Sequence, residues 1–161
     1  MTPPPSSGHT TLLRRAVDLA HANRAQGGRP FGAVIAQGGQ LLAVGVNEIQ
    51  QTCDPSTHAE MQALRAATRA RHDASLAGCD VYASGHPCPM CLAALVMAGA
   101  ERVFFAFDNQ DAAPYGLSSA GSYQRLRLPL DPPPLPIERL DAGIRVAQLY
   151  GNAPWPDTAH G

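Results

Sequence analysis

The chain has 161 residues, 45% hydrophobic and 16% charged, which suits one domain with a substantial core and excludes a mainly disordered chain. Its 12 basic residues, all Arg, face 13 acidic ones, so the formal net charge is −1 and no broad basic surface exists for a polynucleotide. No apolar run reaches membrane-spanning length, and the start lacks the basic-then-apolar pattern of a secretory leader, so a cytoplasmic protein without membrane contact is expected.

Residues 1–9 are rich in Pro, Ser and Gly and read as a flexible N-terminus. A single domain is expected over 10–150, followed by a C-terminal tail, 151–161. Thr10 or Thr11 can cap a helix running to about residue 25, with Leu12, Leu13, Ala16, Val17 and Ala20 as its apolar stripe. Gly27-Gly28-Arg29-Pro30 stops it. Residues 31–36 and 41–46 are apolar runs of strand length, and Gly38-Gly39 between them reads as a hairpin turn. A second helix is predicted over about 58–71, a short strand over 81–84, and a third helix over 89–98 with Pro89 in its first turn and Gly99 at its stop. Residues 102–107, rich in Val and Phe, make the next strand. Strands alternating with helices imply a layered α/β domain with some parallel pairing. Beyond Phe107 the pattern weakens. Residues 111–122 read as loop, and 128–136 hold five prolines and cannot be a regular helix or central strand. A last strand over 137–140 and a last helix over 141–150 complete the expectation.

Two short stretches carry chemistry: His58-Ala59-Glu60 and Pro87-Cys88-Pro89-Met90-Cys91. One histidine and two cysteines are three ligands of the kind zinc takes, and three protein ligands leave a fourth position for water, the arrangement of a catalytic site. Cys88 and Cys91, at i and i+3 of a helix start, put both sulfurs on one side of a turn, where the helix end favours thiolate. Alone, the two cysteines could be a redox pair, but such a pair does not call for H-A-E upstream. Glu60 also has a bland reading: Thr57-x-x-Glu60 matches a capping box, in which the carboxylate bonds back to the cap. The two cysteines tip the balance toward a proton carrier beside a metal, since chemistry run by metal-bound water needs a carboxylate within reach to move its protons. Cys53 and Cys79 do not fit a four-cysteine site by spacing and read as small buried side chains, with an approach to the mouth of the site as the other reading of Cys53.

The paired H-x-E and P-C-x-x-C motifs are the signature of zinc-dependent nucleobase deaminases. With Gly28-Arg29-Pro30-Phe31-Gly32-Ala33-Val34-Ile35, Gly45-Val46-Asn47 and Asp54-Pro55-Ser56-Thr57 they make the chain resemble the cytidine deaminase-like zinc hydrolases, within them the guanine deaminase branch, from the first helix to Phe107. The resemblance implies a three-layer α/β/α sandwich around a five-stranded mixed sheet. It also implies one zinc ion per chain on His58, Cys88 and Cys91, with Glu60 as proton shuttle. Asn47 would bind the base, as an amide that donates and accepts at once can do. Phe31 resembles the aromatic that packs near the ring, although periodicity alone makes it strand core. Ala59, His86 and Pro87, inside or beside the motifs, are expected to face the substrate. His86 stands where many relatives carry Glu, which changes charge and donors near the metal; a hydrogen bond that supports the zinc site and a plain loop histidine are the other readings. Residues 111–117 and the Pro-rich tail also depart from the guanine deaminase pattern, and Tyr115 or Trp155 could cap the pocket or merely pack.

Hydrolytic deamination of a free amino-heterocycle is therefore expected, with guanine to xanthine first. Deamination of tRNA adenosine shares both motifs but sits poorly with a chain that has no Lys. Cytosine, pterin and triazine rings stay open, and a zinc-stabilised binding module without activity is the reading from another class. A small-molecule substrate and a homodimer are the partners the resemblance implies.

Overall fold

The computed structural model describes residues 7–129 and 131–155. The first helix, α1 (Ser7–Ala25), starts earlier than expected, so residues 7–9 are helical, and the rest of the expected flexible start lies outside the described residues. Then come β1 (Gly32–Gln37), β2 (Gln40–Val46), a one-turn α2 (Ile49–Thr52) and α3 (Ala59–Arg71). β3 (Cys79–Gly85), α4 (Pro89–Ala98) and β4 (Arg102–Phe107) follow as predicted, each within a few residues. The segment that reads as loop holds two short helices, α5 (Asn109–Ala112) and α6 (Ala120–Leu126), with a 3-10 turn between them. β5 (Ile137–Arg139) and α7 (Val146–Tyr150) end the fold. The last helix is shorter than expected because Gly143 takes a positive φ of 73° and Asp141 Oδ1 accepts its N–H, a turn that precludes helix there. Residues 156–161 of the tail lie outside the described residues.

The five strands form one sheet in the order β2-β1-β3-β4-β5. β1 pairs antiparallel with both β2 and β3, while β3, β4 and β5 run parallel, so the sheet is mixed. Alternation along β1 separates the two faces. Val34 and Ala36 point into a core formed with the α1 stripe, Leu13, Val17 and Ala20, and with Leu149 and Tyr150 of α7. Ala33 and Ile35 point the other way, onto Ala63 and Ala67 of α3 and Leu92 and Leu95 of α4. The result is the three-layer α/β/α sandwich, with α3 and α4 side by side on one face.

One close approach sets the site. A Cβ on Gly45 of β2 would run into the backbone of α3 at Ala59 and Ala63, so a glycine there is what lets the first turn of α3 lie directly on the sheet. The α4 layer is seated differently. Pro89 opens it, Gly99 closes it in the left-handed conformation at φ 79°, and Leu92 and Leu95 bury its inner face.

Candidate metal centre and active-site cavity

The starts of α3 and α4 point at the same spot, beyond the C-terminal end of the parallel strand β3. His58 is the N-cap of α3, and Cys88 is the N-cap of α4, with Cys91 in its first turn. His58 Nδ1 lies 3.5 Å from Cys88 Sγ and 3.6 Å from Cys91 Sγ. A tetrahedral zinc with bonds of about 2.0–2.1 Å to nitrogen and about 2.3 Å to sulfur holds its N and S ligands about 3.5–3.6 Å apart. Both His58–sulfur separations therefore match those zinc requires, the three ligand atoms lie within 4.8 Å of one another, and the helix N-terminus behind Cys88 favours the thiolate a metal needs.

Glu60 lies in the first turn of α3 with 7% of its surface exposed. The capping-box alternative does not hold. Thr57 is not the N-cap; its hydroxyl donates to the Asp54 carbonyl at 2.7 Å. The Glu60 carboxylate turns inward instead, and its Oε2 is 3.5 Å from Cys91 Sγ. Burial raises the Glu60 pKa, and the negative charge of Cys88 raises it further, so this carboxyl accepts a proton more readily than a carboxylate in water. Cys88 is pulled down to about 4, first by the hydrogen bond from the Cys91 thiol and then by His58. Cys91 moves the opposite way, because it donates to Cys88 and is buried beside Glu60. Burial pushes His58 down, but its contact with the Cys88 sulfur outweighs this and leaves it raised.

These residues open into a cavity of about 260 Å³ whose walls include Phe31, Asn47, His58, Glu60, His86 and Cys88. Asn47 is 3% exposed, and its Oδ1 accepts the Ile49 N–H at 3.2 Å, which fixes the amide's rotation and turns Nδ2 to the donor role. His86 Nδ1 is 2.9 Å from the Pro87 carbonyl. A carbonyl can only accept, so Nδ1 carries the hydrogen and the neutral ring keeps Nε2 as an acceptor. Burial lowers the His86 pKa, which favours that neutral ring. Ala59 and Pro87 are brought close but have buried side chains outside the cavity lining, so what they offer is main chain. The Pro87 carbonyl accepts a second hydrogen bond, at 2.7 Å, from the Tyr123 hydroxyl.

The expected site residues left part of the wall unassigned. Arg29 and Pro55 line it from stretches quoted only for the resemblance, with no role attached. Leu117, Ser119, Ser122 and Leu126 line it from the region that reads as loop and its continuation into α6. There Asn109 Oδ1 accepts from the Ser118 hydroxyl and from both the N–H and hydroxyl of Ser119, which folds the chain back so that α6 faces the metal ligands. A local signal existed: Ser119 stands at the N-cap of α6. Tyr115 and Trp155 do not cap the cavity. They pack on the opposite face around Tyr150, with the Trp155 indole N–H donating to the Tyr150 carbonyl at 3.2 Å. Cys53 is exposed outside the lining, and Cys79 is buried in the core against Arg71.

Comparison with known proteins agrees with this geometry. Residues 6–107 match the family model of the cytidine and deoxycytidylate deaminase zinc-binding region. The guanine deaminase of Bacillus subtilis is 39% identical over 129 residues, 80% of this chain and 83% of that protein. Its X-ray structure superposes with a TM-score of 0.72 over 80% of this chain and 82% of the other. A tRNA-specific adenosine deaminase of Aquifex aeolicus is 38% identical over 92 residues, which are 56% of this chain and 61% of that one.

Proposed function

The chain belongs to the cytidine and deoxycytidylate deaminase zinc-binding family, and from that premise we propose that this zinc-dependent deaminase converts guanine to xanthine and ammonia. The observation that carries the reading is the buried carboxyl of Glu60 beside a zinc-compatible His-Cys-Cys cluster, at the floor of a cavity with a fixed amide donor. The 39% identity to a guanine deaminase over four-fifths of the chain, 80%, selects the ring.

His58, Cys88 and Cys91 would hold a zinc ion, which would supply there a Lewis acid able to make water acidic near neutral pH. Glu60 accepts a proton from the water that attacks the amine-bearing carbon and delivers it to the adjacent ring nitrogen. The carbon is then tetrahedral, bearing oxygen and amine. Glu60 next carries the hydroxyl proton to the amine, the C–N bond breaks, and ammonia leaves as the carbonyl forms. The raised pKa of Glu60 suits a group that must gain and release a proton twice in one cycle. Asn47 donates from Nδ2 to an acceptor on the ring, and His86 Nε2 accepts from a ring N–H; guanine carries both kinds of edge. Phe31 packs against the ring. Ala59 contributes a main-chain contact, and Pro87 acts through its carbonyl, which holds His86 and Tyr123 in place. Residues 10–150 form one deaminase domain in this reading, working in the cytoplasm in purine breakdown. No helix among the described residues is long and apolar enough to cross a membrane.

A homodimer is part of this reading, and the outer side of α4 supports it. Val96 is 40% and Met97 87% exposed, and Val96 shares a cleft with Leu128, an apolar surface of the kind a second copy covers. Met97→Glu should then shift the protein to monomer in light scattering after gel filtration.

The test is ammonia release from guanine, cytosine, adenine, a pterin, an aminotriazine and a tRNA anticodon stem, with Glu60→Gln alongside. Guanine turnover that falls about 10²–10⁴-fold in the variant at undiminished zinc content is expected. Turnover of the tRNA stem alone would favour the second reading, tRNA adenosine deamination, which the similarity to the Aquifex aeolicus enzyme keeps in view.

A further inference from the structure

Asn23 lies near the end of α1, 6% exposed, and belongs to neither motif. Its side-chain amide reaches two distant stretches at once. Nδ2 donates to the Arg29 carbonyl at 2.7 Å and to the Asn47 carbonyl at 2.9 Å. An amide nitrogen carries two hydrogens, so both are committed. The surrounding main chain closes the same knot. The Gly28 N–H donates to the Asn23 carbonyl at 2.9 Å, the Phe31 N–H to the Arg29 carbonyl at 2.8 Å, and the Asn47 N–H to the Phe31 carbonyl at 3.1 Å. A Cβ on Gly28 would stand 2.6 Å from Asn23 Nδ2 and 2.8 Å from its Oδ1, so a glycine there is required for the amide to sit in place.

The geometry points to Asn23 as a positioning residue for substrate recognition, its amide clamping the segments that carry Phe31 and Asn47 into one rigid wall of the cavity. This rests on the proposed contacts of Phe31 and Asn47 with the ring. Neither clamped segment carries a metal ligand or Glu60, which sit at the starts of α3 and α4. Loss of the clamp therefore loosens the wall that orients the ring and leaves the zinc and the proton carrier where they are.

Asn23→Asp removes both donors without a change of volume, and Asn23→Ala removes the side chain. With the ring that the parent enzyme turns over, both variants should keep full zinc content and a nearly parental kcat, while KM rises about tenfold. Protonation of the carboxylate introduced by Asn23→Asp restores one donor toward the carbonyls. The KM defect of that variant should therefore shrink as the pH falls from about 8 to about 6, and the Asn23→Ala defect should not. Hydrogen exchange should quicken at the Phe31 and Asn47 amides and stay unchanged in α3 and α4. A parental KM in Asn23→Asp overturns the inference. So does a joint fall of kcat, zinc content and Tm, which marks a merely structural residue. The exchange measurement needs no substrate: if no ring is deaminated, the guanine reading fails, yet local quickening still supports the clamp and unchanged exchange still refutes it.

Discussion

Adding one methyl group at Gly45 should unseat the metal centre without touching any residue in it. The new Cβ would overlap the backbone of α3 at Ala59 and Ala63 and come within 3.0 Å of the Gln62 carbonyl carbon. All of these are main-chain atoms, so no side-chain rotation relieves the clash and the helix itself must retreat. Restoring ordinary carbon contacts of about 3.5–4.0 Å requires a shift of about 1 Å. His58 and Glu60 ride on the first turn of that helix, while Cys88 and Cys91 stay with α4. The His58–sulfur separations of 3.5 and 3.6 Å match a tetrahedral ion, so a shift of that size takes His58 off it. Gly45→Ala is expected to lower stability by about 1–3 kcal/mol, as overpacking does. Zinc affinity should fall at least tenfold, and turnover about 10²-fold even with zinc in excess, the usual consequence of 1 Å misplacement. Chelator competition, metal analysis and ammonia release check this beside a far-UV spectrum that reports folding. A Gly45→Ala protein that holds zinc as tightly as the parent and deaminates at the same rate would refute the claim that this contact sets the centre.

Two tyrosines should respond oppositely to loss of their hydroxyls. Tyr123→Phe deprives the buried Pro87 carbonyl of a 2.7 Å bond and should cost about 1 kcal/mol by denaturant titration, whereas the Tyr150 hydroxyl is buried with no hydrogen-bond partner among the described residues, so Tyr150→Phe should match or exceed parental stability. Removal of zinc with a strong chelator should abolish turnover and lower Tm, both recovering on zinc addition, because the ion ties the starts of α3 and α4 together. Asp108 caps α5. Burial opposes its charge, but the Asp111 and Gln110 N–H groups and Arg139 hold its pKa below the usual range. Its contribution to stability is thus complete above the unfolded carboxylate pKa of about 4 and lost as the pH falls through the lower folded value. The Tm gap between parent and Asp108→Asn should therefore close as the pH is taken from about 5 toward about 2.

What could be read in advance depended on how local the cause was. The α1 stripe, the Gly38-Gly39 hairpin, and Pro89 and Gly99 around α4 each announce themselves within a few residues, and the structure follows them. The ligand trio was legible because zinc chemistry restricts residue types and spacing. Glu60 was legible only in context, since its capping role and its proton-carrying role look alike until the N-cap is known to be His58. The part of the cavity wall that follows β4 was not legible. Ser119 and Ser122 face the ligands because Asn109, ten residues upstream of Ser119, gathers the chain around its Oδ1, and no local periodicity encodes that. Tyr115 and Trp155 stayed open between capping and packing for a related reason: sequence does not say on which side of the sheet an aromatic residue packs, and these gather around Tyr150.

The metal ligands and one wall of the cavity come from separate lengths of this chain. The ligands and Glu60 fall between positions 58 and 91, on helices pressed against the sheet, whereas Leu117, Ser119, Ser122 and Leu126 reach the cavity from a stretch after β4 that contributes nothing to the sheet. The Asn109 knot shapes that stretch from within, and the Asp111–Arg139 ion pair, the Trp155 N–H donating to the Tyr115 carbonyl, the Tyr123 bond to Pro87 and the burial of Ala112, Leu117 and Tyr123 hold it to the rest. Substitutions at Ser119 and Leu126 should therefore reshape the cavity while the metal ligands, Glu60 and the buried Ala112, Leu117 and Tyr123 stay as they are.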